Sequence, residues 1–63
     1  MHEEVLEFIK LFIKTKGYAP TYREIMEGVG LSSTSQVGFY VNELVEEGRL
    51  LKEAGQARTL RIA

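Results

Sequence analysis

Two segments in the middle of this chain each begin with a helix-capping signal. The segment TYRE, from Thr21 to Glu24, is a capping box: a threonine at the cap is followed three residues later by a glutamate. The segment STSQ, from Ser33 to Gln36, has the same form, and we expect the Gln36 side chain to accept a hydrogen bond from the Ser33 amide. Because a short turn containing Gly30 separates the two predicted helices, the sequence predicts the spacing of a helix-turn-helix.

Hydrophobic periodicity gives the extents of three predicted helices. They run from about Glu3 to Lys16, from about Tyr22 to Val29 and from about Thr34 to Glu47. Apolar residues gather on one side of the third helix and predict the face that packs on the core: Val37, Tyr40, Val41, Leu44 and Val45. Gly28 weakens the second helix, and we expect another backbone to approach it closely.

Two short segments near the end of the chain have the composition of strands. They are RLLKE at residues 49–53 and RTLRI at residues 58–62, with a predicted hairpin loop over residues 54–57. A lone hairpin is only marginally stable, so we expect its leucines to pack against the helices. The order predicts a mainly α fold with a small antiparallel β-hairpin, a three-helix winged helix-turn-helix. With 63 residues, the chain suffices for one such domain over residues 1–63.

The composition leaves little room for chemistry within the chain. There is no cysteine, which excludes disulfides and thiolate metal sites, and the one histidine, His2, lies at the terminus. The sequence arranges no paired carboxylates, phosphate-binding loop or catalytic base, and so small a core has no space for a pocket. We therefore expect no enzyme, no cofactor and no small-molecule substrate. The acidic start MHEEVLEF and the lack of a long apolar run predict a cytoplasmic chain without a membrane partner.

The distribution of charge is more informative than its sum. The net charge is -1, from nine glutamates and eight basic residues, which weighs against a nucleic-acid partner because such domains are often basic. Residues 48–63 differ, since they hold Arg49, Lys52, Arg58 and Arg61 against Glu53 alone. A positive segment at the predicted hairpin is compatible with binding to phosphate.

The outer side of the third predicted helix combines small polar residues with a large aromatic one: Ser35, Phe39, Asn42 and Glu46. Short side chains at a helix start let the backbone approach base edges in a DNA major groove, and free amide groups there favour phosphate. We therefore expect base contacts from Ser33, Ser35 and Gln36, with Gln36 pairing to adenine through two hydrogen bonds. Phe39 suits a thymine methyl group, and Gly38 beside it leaves room for a close approach.

Positive residues elsewhere are placed to contact the phosphate backbone. Arg23 lies in the first turn of the second predicted helix, and Lys52 and Arg58 lie in the hairpin. The full set of expected DNA contacts is Ser33, Thr34, Ser35, Gln36, Phe39, Arg23, Lys52 and Arg58. Each has a simpler interpretation: the serines as a helix cap, Phe39 as a surface residue or dimer contact, and the basic residues as a solvated face.

Two functions of different classes follow from these patterns. The first is sequence-specific binding to double-stranded DNA, with a homodimer required for a palindromic site. The second is a protein-interaction or self-association module on the same fold. It is favoured by the negative net charge, by a third helix without lysine or arginine, and by the outward Phe39.

Taken in order, these features resemble a known family, the DNA-binding domain of the bacterial LexA repressors. The matching motifs are GYAP before the second helix, the REI segment, the GL turn, the serine-rich helix start, the L-x-x-x-G exit and the R-x-L-R-I end. They cover nearly all of the 63 residues. The resemblance implies a winged helix-turn-helix that binds operator DNA as a repressor, and it places base-reading positions at Ser33, Ser35, Gln36, Gly38 and Phe39.

Two departures from the family matter. Gly38 and Phe39 stand where relatives have polar residues, so we expect a different target sequence. The chain stops where the family's hinge begins, and we expect the self-cleaving peptidase domain, with its main dimer interface, to be absent. The serines all lie at one helix cap without a lysine partner, so autocleavage is not expected to carry over. An excised domain and a free-standing small regulator both stay open.

Overall fold

Three helices followed by a two-stranded antiparallel sheet make up the computed structural model, which describes residues 1–53 and 58–63. The helices are α1 (His2–Lys16), α2 (Tyr22–Val29) and α3 (Thr34–Glu46), and the strands are β1 (Leu50–Leu51) and β2 (Arg61–Ile62). The predicted mainly α fold with a small hairpin is therefore confirmed, and it agrees with a winged helix-turn-helix. The predicted hairpin loop, residues 54–57, lies outside the described residues.

Capping residues explain why the helices begin and end close to the predicted positions. At the start of α2, the Thr21 hydroxyl accepts a hydrogen bond from the Glu24 amide at 3.2 Å. The Glu24 carboxylate accepts one from the Thr21 amide at 2.8 Å, so the predicted capping box is confirmed. Gly17 and Gly30 end α1 and α2 with φ of 83° and 80°, a left-handed backbone that glycine adopts without strain.

The strands are shorter than predicted, with two residues each. Pairing is limited to Leu50 with Ile62 and Leu51 with Arg61. Beyond these pairs, the Thr59 hydroxyl bonds to the backbone amide and carbonyl of Glu53, both at 3.2 Å, so a side chain replaces part of the ladder. We call β1 and β2, with the described residues 52–53 and 58–60 that flank them, the wing.

The core lies between the three helices and the inner side of the wing. Its apolar members are nearly or fully inaccessible to solvent: Val5, Leu6, Ile9, Ala19, Ile25, Val37, Val41, Leu44, Leu50 and Leu60. Leu50 and Leu60 pack on the helices as expected, whereas Leu51 is exposed. No described polar or charged residue is buried, so functional groups must be sought at the surface. Among the described helices, none has the length and apolar character needed to cross a bilayer.

The space beside Gly28 is filled by the side chain of another residue. The expectation that a backbone approaches Gly28 closely was therefore wrong. A Cβ atom added at Gly28 would lie 2.1 Å from Cε2 and 2.4 Å from Cζ of Phe8. The ring of Phe8, on α1, therefore occupies the space that any larger residue in α2 would need. The glycine lets α1 and α2 pack closely, and this packing supports the orientation of the helix-turn-helix.

Candidate nucleic-acid interface

The two sides of α3 differ in exposure as the helical spacing predicted. The inner residues Val37, Val41 and Leu44 are fully buried. On the outer side, Phe39 is 61% exposed. Its ring meets the ring of Tyr40 in an edge contact with centroids 5.4 Å apart, which holds Phe39 at the surface. The outer side of α3 is therefore available to a partner.

The start of α3 combines a side-chain cap with an uncompensated helix dipole. The Ser33 hydroxyl accepts a hydrogen bond from the Gln36 amide at 3.3 Å, which confirms Ser33 as the cap. Thr34 and Ser35 are exposed in the first turn. The described α3 has no acidic residue in that turn, whereas α1 and α2 both carry glutamate there. The positive end of α3 is therefore free to attract an anion such as phosphate.

The side chain of Gln36 is bound by Ser32, one residue before the expected partner Ser33. Its Oε1 accepts hydrogen bonds from the Ser32 amide at 2.9 Å and from the Ser32 hydroxyl at 3.0 Å, so the predicted return bond from the Ser33 amide was wrong. Ser32 offers both its amide and its hydroxyl to this oxygen, whereas the Ser33 hydroxyl is engaged as the acceptor of the Gln36 amide. Both lone pairs of Oε1 are then used, and Nε2 is the group left to bind a partner. Pairing with adenine through two bonds would first require release from Ser32.

Gly38 is a position where internal packing does not require glycine. A Cβ atom added there would meet the Tyr22 ring at 3.6 Å, an ordinary van der Waals distance. Gly38 lies between Ser35 and Phe39 on α3, so its missing side chain leaves the backbone accessible beside these two residues.

Lys52 brings the wing beside the outer side of α3. Its Nζ donates a hydrogen bond to Oδ1 of Asn42 at 2.6 Å and lies 3.5 Å from the hydroxyl of Tyr22. Because Asn42 belongs to the outer side of α3, as Phe39 does, a positive charge stands on the same surface as the exposed aromatic. We call the surface formed by Ser33, Thr34, Ser35, Gln36, Phe39, Asn42 and Lys52 the α3–wing surface.

Arg58 is engaged within the protein. Its guanidinium forms a bidentate ion pair with Glu24, with Nη1–Oε1 and Nη2–Oε2 distances of 2.9 and 3.1 Å. Nη1 also donates to the Ala19 carbonyl at 3.1 Å, and the guanidinium carbon lies 4.8 Å from the ring centroid of Tyr18. The hydrogen bonds between the partners lower the pKa of the Glu24 carboxyl and raise the pKa of Arg58. Arg58 thus faces the start of α2, and these contacts of its guanidinium involve no member of the α3–wing surface.

Comparison with known proteins identifies the family. A family model described as the LexA DNA binding domain matches residues 2–59. This chain belongs to the LexA DNA-binding domain family. Curated relatives include LexA repressors of Clostridium botulinum strain Hall, Clostridium novyi strain NT and Caldicellulosiruptor saccharolyticus, at 49%, 46% and 45% identity. The alignments cover 94–95% of this chain and 29–30% of those proteins, so the chain spans about three tenths of the length of these relatives.

Arg23 differs from Arg58 in this LexA DNA-binding domain. It is exposed in the first turn of α2, and its guanidinium has no ion pair or hydrogen bond with the residues that the structure describes. Within the described residues, nothing competes with an external anion for the Arg23 guanidinium. The contacts of Arg23 and of the other predicted residues with DNA stay predictions.

Arg49, which lies between α3 and β1, belongs to the scaffold of the domain. Its guanidinium pairs with Glu3 at the start of α1, including an Nη2–Oε1 hydrogen bond of 2.8 Å, and with Glu47 at 3.5 Å. The hydrogen bonds from Arg49 lower the pKa of the Glu3 carboxyl. This cluster joins the first turn of α1 to the exit of α3.

Two residues around Lys52, Asn42 and Tyr22, were not among the predicted DNA contacts. Helical spacing already placed Asn42 on the outer side of α3, but nothing in the sequence indicated its bond to Lys52. Tyr22 is half-buried at the start of α2, and its position between Gly38 and Lys52 depends on how α2, α3 and the wing pack together.

Proposed function

We propose that this domain binds double-stranded DNA at specific sequences and represses transcription there. The outer side of α3 enters the major groove, and the wing lies on the sugar–phosphate backbone. The observation that carries the proposal is the position of Lys52, whose ammonium group lies 2.6 Å from Asn42 on the outer side of α3. A helix face suited to bases and a cation suited to phosphate thus belong to one surface.

Base edges are contacted by the first two turns of α3. Thr34 and Ser35 offer exposed hydroxyls. Gln36 donates from Nε2 to an acceptor such as guanine O6 or thymine O4, because Ser32 holds its Oε1. Phe39, with 61% of its surface exposed, contacts a thymine methyl group.

The backbone near Gly38 approaches the groove closely. Glycine in a helix interior costs about 1 kcal/mol relative to alanine. The contact with Tyr22 would tolerate a Cβ atom at 3.6 Å, so packing does not account for this cost. Close contact between α3 and DNA does account for it.

Phosphate is contacted on both sides of the groove. The amide groups at the start of α3 and the exposed guanidinium of Arg23 serve one side, and Lys52 on the wing serves the other. Since the net charge of the chain is -1, the molecule as a whole is not attracted to DNA, and only local positive groups are. We therefore expect base contacts to supply a large share of the affinity.

Two copies of the domain occupy a palindromic operator, one on each half-site. The regulatory part of the proposal rests on the relatives, which are named LexA repressors. Because this chain spans about three tenths of their length, their other activities are not transferred to it.

Selection of bound duplexes from a random pool, followed by a salt titration of the best one, tests the proposal. We expect a recurring half-site. A plot of the logarithm of the binding constant against the logarithm of the salt concentration should have a slope that corresponds to several phosphates, with about -0.9 for each. Lys52→Gln should reduce the slope by about one phosphate, while Lys14→Gln, at an exposed position on α1, should leave it unchanged. A pool without enrichment, or affinity that does not respond to salt, would contradict DNA binding.

A protein-interaction or self-association module is the second candidate, and the exposure of Phe39 on a helix without lysine or arginine favours it. In that case Phe39 fills a pocket of a partner or of a second copy. Sedimentation of Phe39→Ala, together with a measurement of its DNA affinity, distinguishes the two functions. Loss of self-association with unchanged DNA affinity would support the module, and loss of DNA affinity by an unchanged monomer would support DNA binding.

A further inference from the structure

Arg58 is the first described residue after residues 54–57, and its contacts cross to α2 and to the segment before it. Its backbone has a φ of 57°, in the left-handed region that residues other than glycine seldom adopt. Its guanidinium is fixed by the carboxylate of Glu24, the carbonyl of Ala19 and the ring of Tyr18. The contacts of one side chain therefore hold an unusual backbone turn in place.

Glu24 is an acceptor already fixed in position. Its Oε1 accepts from the Thr21 amide at 2.8 Å, which closes the cap of α2, and also from Nη1 of Arg58 at 2.9 Å. Its Oε2 accepts from Nη2 of Arg58 at 3.1 Å. Because the capping box already orients the carboxylate, Glu24 loses little conformational entropy when it pairs with Arg58.

A short chain of contacts connects Arg58 to Lys52. Arg58 precedes Thr59, whose hydroxyl bonds to the amide and carbonyl of Glu53 at 3.2 Å. Glu53 directly follows Lys52, whose Nζ bonds to Asn42 on α3. An orientation imposed at Arg58 is therefore passed across the wing to the cation on the α3–wing surface.

We propose that Arg58 is a positioning residue for DNA binding: its ion pair with Glu24 orients the wing so that Lys52 lies beside α3. This inference rests on the proposed DNA binding. It replaces the expectation, drawn from the sequence, that Arg58 contacts phosphate. Both terminal nitrogens of Arg58 are occupied by a carboxylate that balances its charge, so Arg58 offers little attraction to phosphate.

The first test needs no DNA. Hydrogen-exchange rates and amide resonances of the wing are compared in the wild type, Arg58→Gln and Glu24→Gln. Glutamine at position 24 keeps an oxygen for the Thr21 amide, so the cap of α2 is retained while the charge of the ion pair is removed. We expect both variants to shift the same wing resonances and to speed exchange at Glu53.

Arg61→Gln is the matched control, because it removes an exposed arginine from the same wing. It should leave exchange at Glu53 unchanged. Wing resonances in Glu24→Gln that coincide with those of the wild type would overturn the positioning role.

The second test uses the selected duplex. We expect Arg58→Gln and Glu24→Gln to weaken binding by similar factors, about threefold to fivefold, as for an exposed ion pair. The double variant should bind no more weakly than either single variant, and the salt slope should stay unchanged because no phosphate contact is lost. Arg58→Lys should bind as weakly as Arg58→Gln, since lysine keeps the charge but lacks the planar fork.

The opposite pattern would show that Arg58 contacts a DNA phosphate directly. Glu24→Gln would then strengthen binding by releasing Arg58, and Arg58→Gln would reduce the salt slope by about one phosphate. Arg58→Lys would retain the affinity of the wild type. If the wild type bound no duplex, the proposed function would fail, and the DNA-free resonances would still decide whether Arg58 positions the wing.

Discussion

Gly28 and Gly38 both lie inside helices, yet an added Cβ atom would meet different surroundings at the two positions. At Gly28 it would overlap the ring of Phe8 at 2.1 Å, and at Gly38 it would touch Tyr22 at 3.6 Å. Glycine costs a helix about 1 kcal/mol relative to alanine, so each position calls for an effect that offsets the cost. Packing with α1 supplies it at Gly28, and access to DNA is the effect that we propose at Gly38.

Gly28→Ala should lower the free energy of unfolding by about 1 kcal/mol, because the penalty of overpacking exceeds the gain in helix propensity. Urea denaturation measures the change. The same substitution made in a Phe8→Ala background should instead stabilise the domain by about 0.5–1 kcal/mol, since the ring is gone. Destabilisation of equal size in both backgrounds would refute the assignment of the clash to Phe8.

Gly38→Ala should raise the free energy of unfolding by up to about 1 kcal/mol, because the site has room for a methyl group and the helix gains propensity. The same variant should bind the selected duplex more weakly, since the methyl group keeps α3 away from the groove. Parallel measurements of urea denaturation and of DNA affinity check both parts. A stabilised variant with unchanged affinity would remove Gly38 from the interface.

At the scale of elements, the start of α2 connects the other parts of the domain. Its capping box joins Thr21 to Glu24, and Glu24 continues to Arg58 of the wing. One residue into the helix, Tyr22 lies between Gly38 of α3 and Lys52. The position of the wing relative to α3 therefore depends on how this one turn is built.

Thr21→Ala should lower the free energy of unfolding by about 1 kcal/mol, because the Glu24 amide loses its acceptor. Thr15→Ala, at an exposed position near the end of α1, is the matched control and should change stability by less than about 0.5 kcal/mol. Urea midpoints of the two variants provide the comparison. Equal midpoints would mean that the cap contributes little to stability.

Interactions between neighbours in the sequence were predictable, and those between elements were not. The capping box of α2, the Ser33 cap and the outward Phe39 follow from local spacing, and all three are confirmed. The partner of Gly28 and the pairs of Lys52 and Arg58 depend on how the helices and wing pack, which one sequence does not specify. Gln36 shows that even a local hydrogen bond can be assigned to the wrong residue. The amides of Ser32 and Ser33 are both suitable donors and are adjacent in the sequence.

At the scale of the whole molecule, two ion pairs join parts that are distant in the sequence. Glu3 of α1 pairs with Arg49 after α3, and Glu24 of α2 pairs with Arg58 of the wing. Both are exposed, so neither supplies a large share of the stability by itself. Their value lies in fixing how the elements are oriented.

These pairs make the stability of the domain decrease at acid pH. Hydrogen bonds from Arg49 and Arg58 hold the pKa of Glu3 and of Glu24 below the ordinary value of 4.5. The folded state then binds fewer protons than the unfolded state, so the contribution is complete above about pH 5 and is lost as the pH falls through the lowered pKa values. The urea midpoint should therefore decrease on acidification.

The double variant Glu3→Gln, Glu24→Gln provides the control for this pH dependence. Its midpoint should fall less steeply between about pH 5 and pH 3 than that of the wild type, because two of the shifted carboxyls are missing. Identical slopes for the two proteins would show that other groups cause the acid sensitivity.

Amide chemical-shift mapping during titration with the selected duplex tests the central claim most directly. We predict that the largest shifts fall on Ser33, Ser35, Gln36, Phe39 and Lys52, and that residues on the exposed side of α1, such as Glu7 and Leu11, stay unchanged. Shifts concentrated on α1, with the outer side of α3 unaffected, would contradict the account.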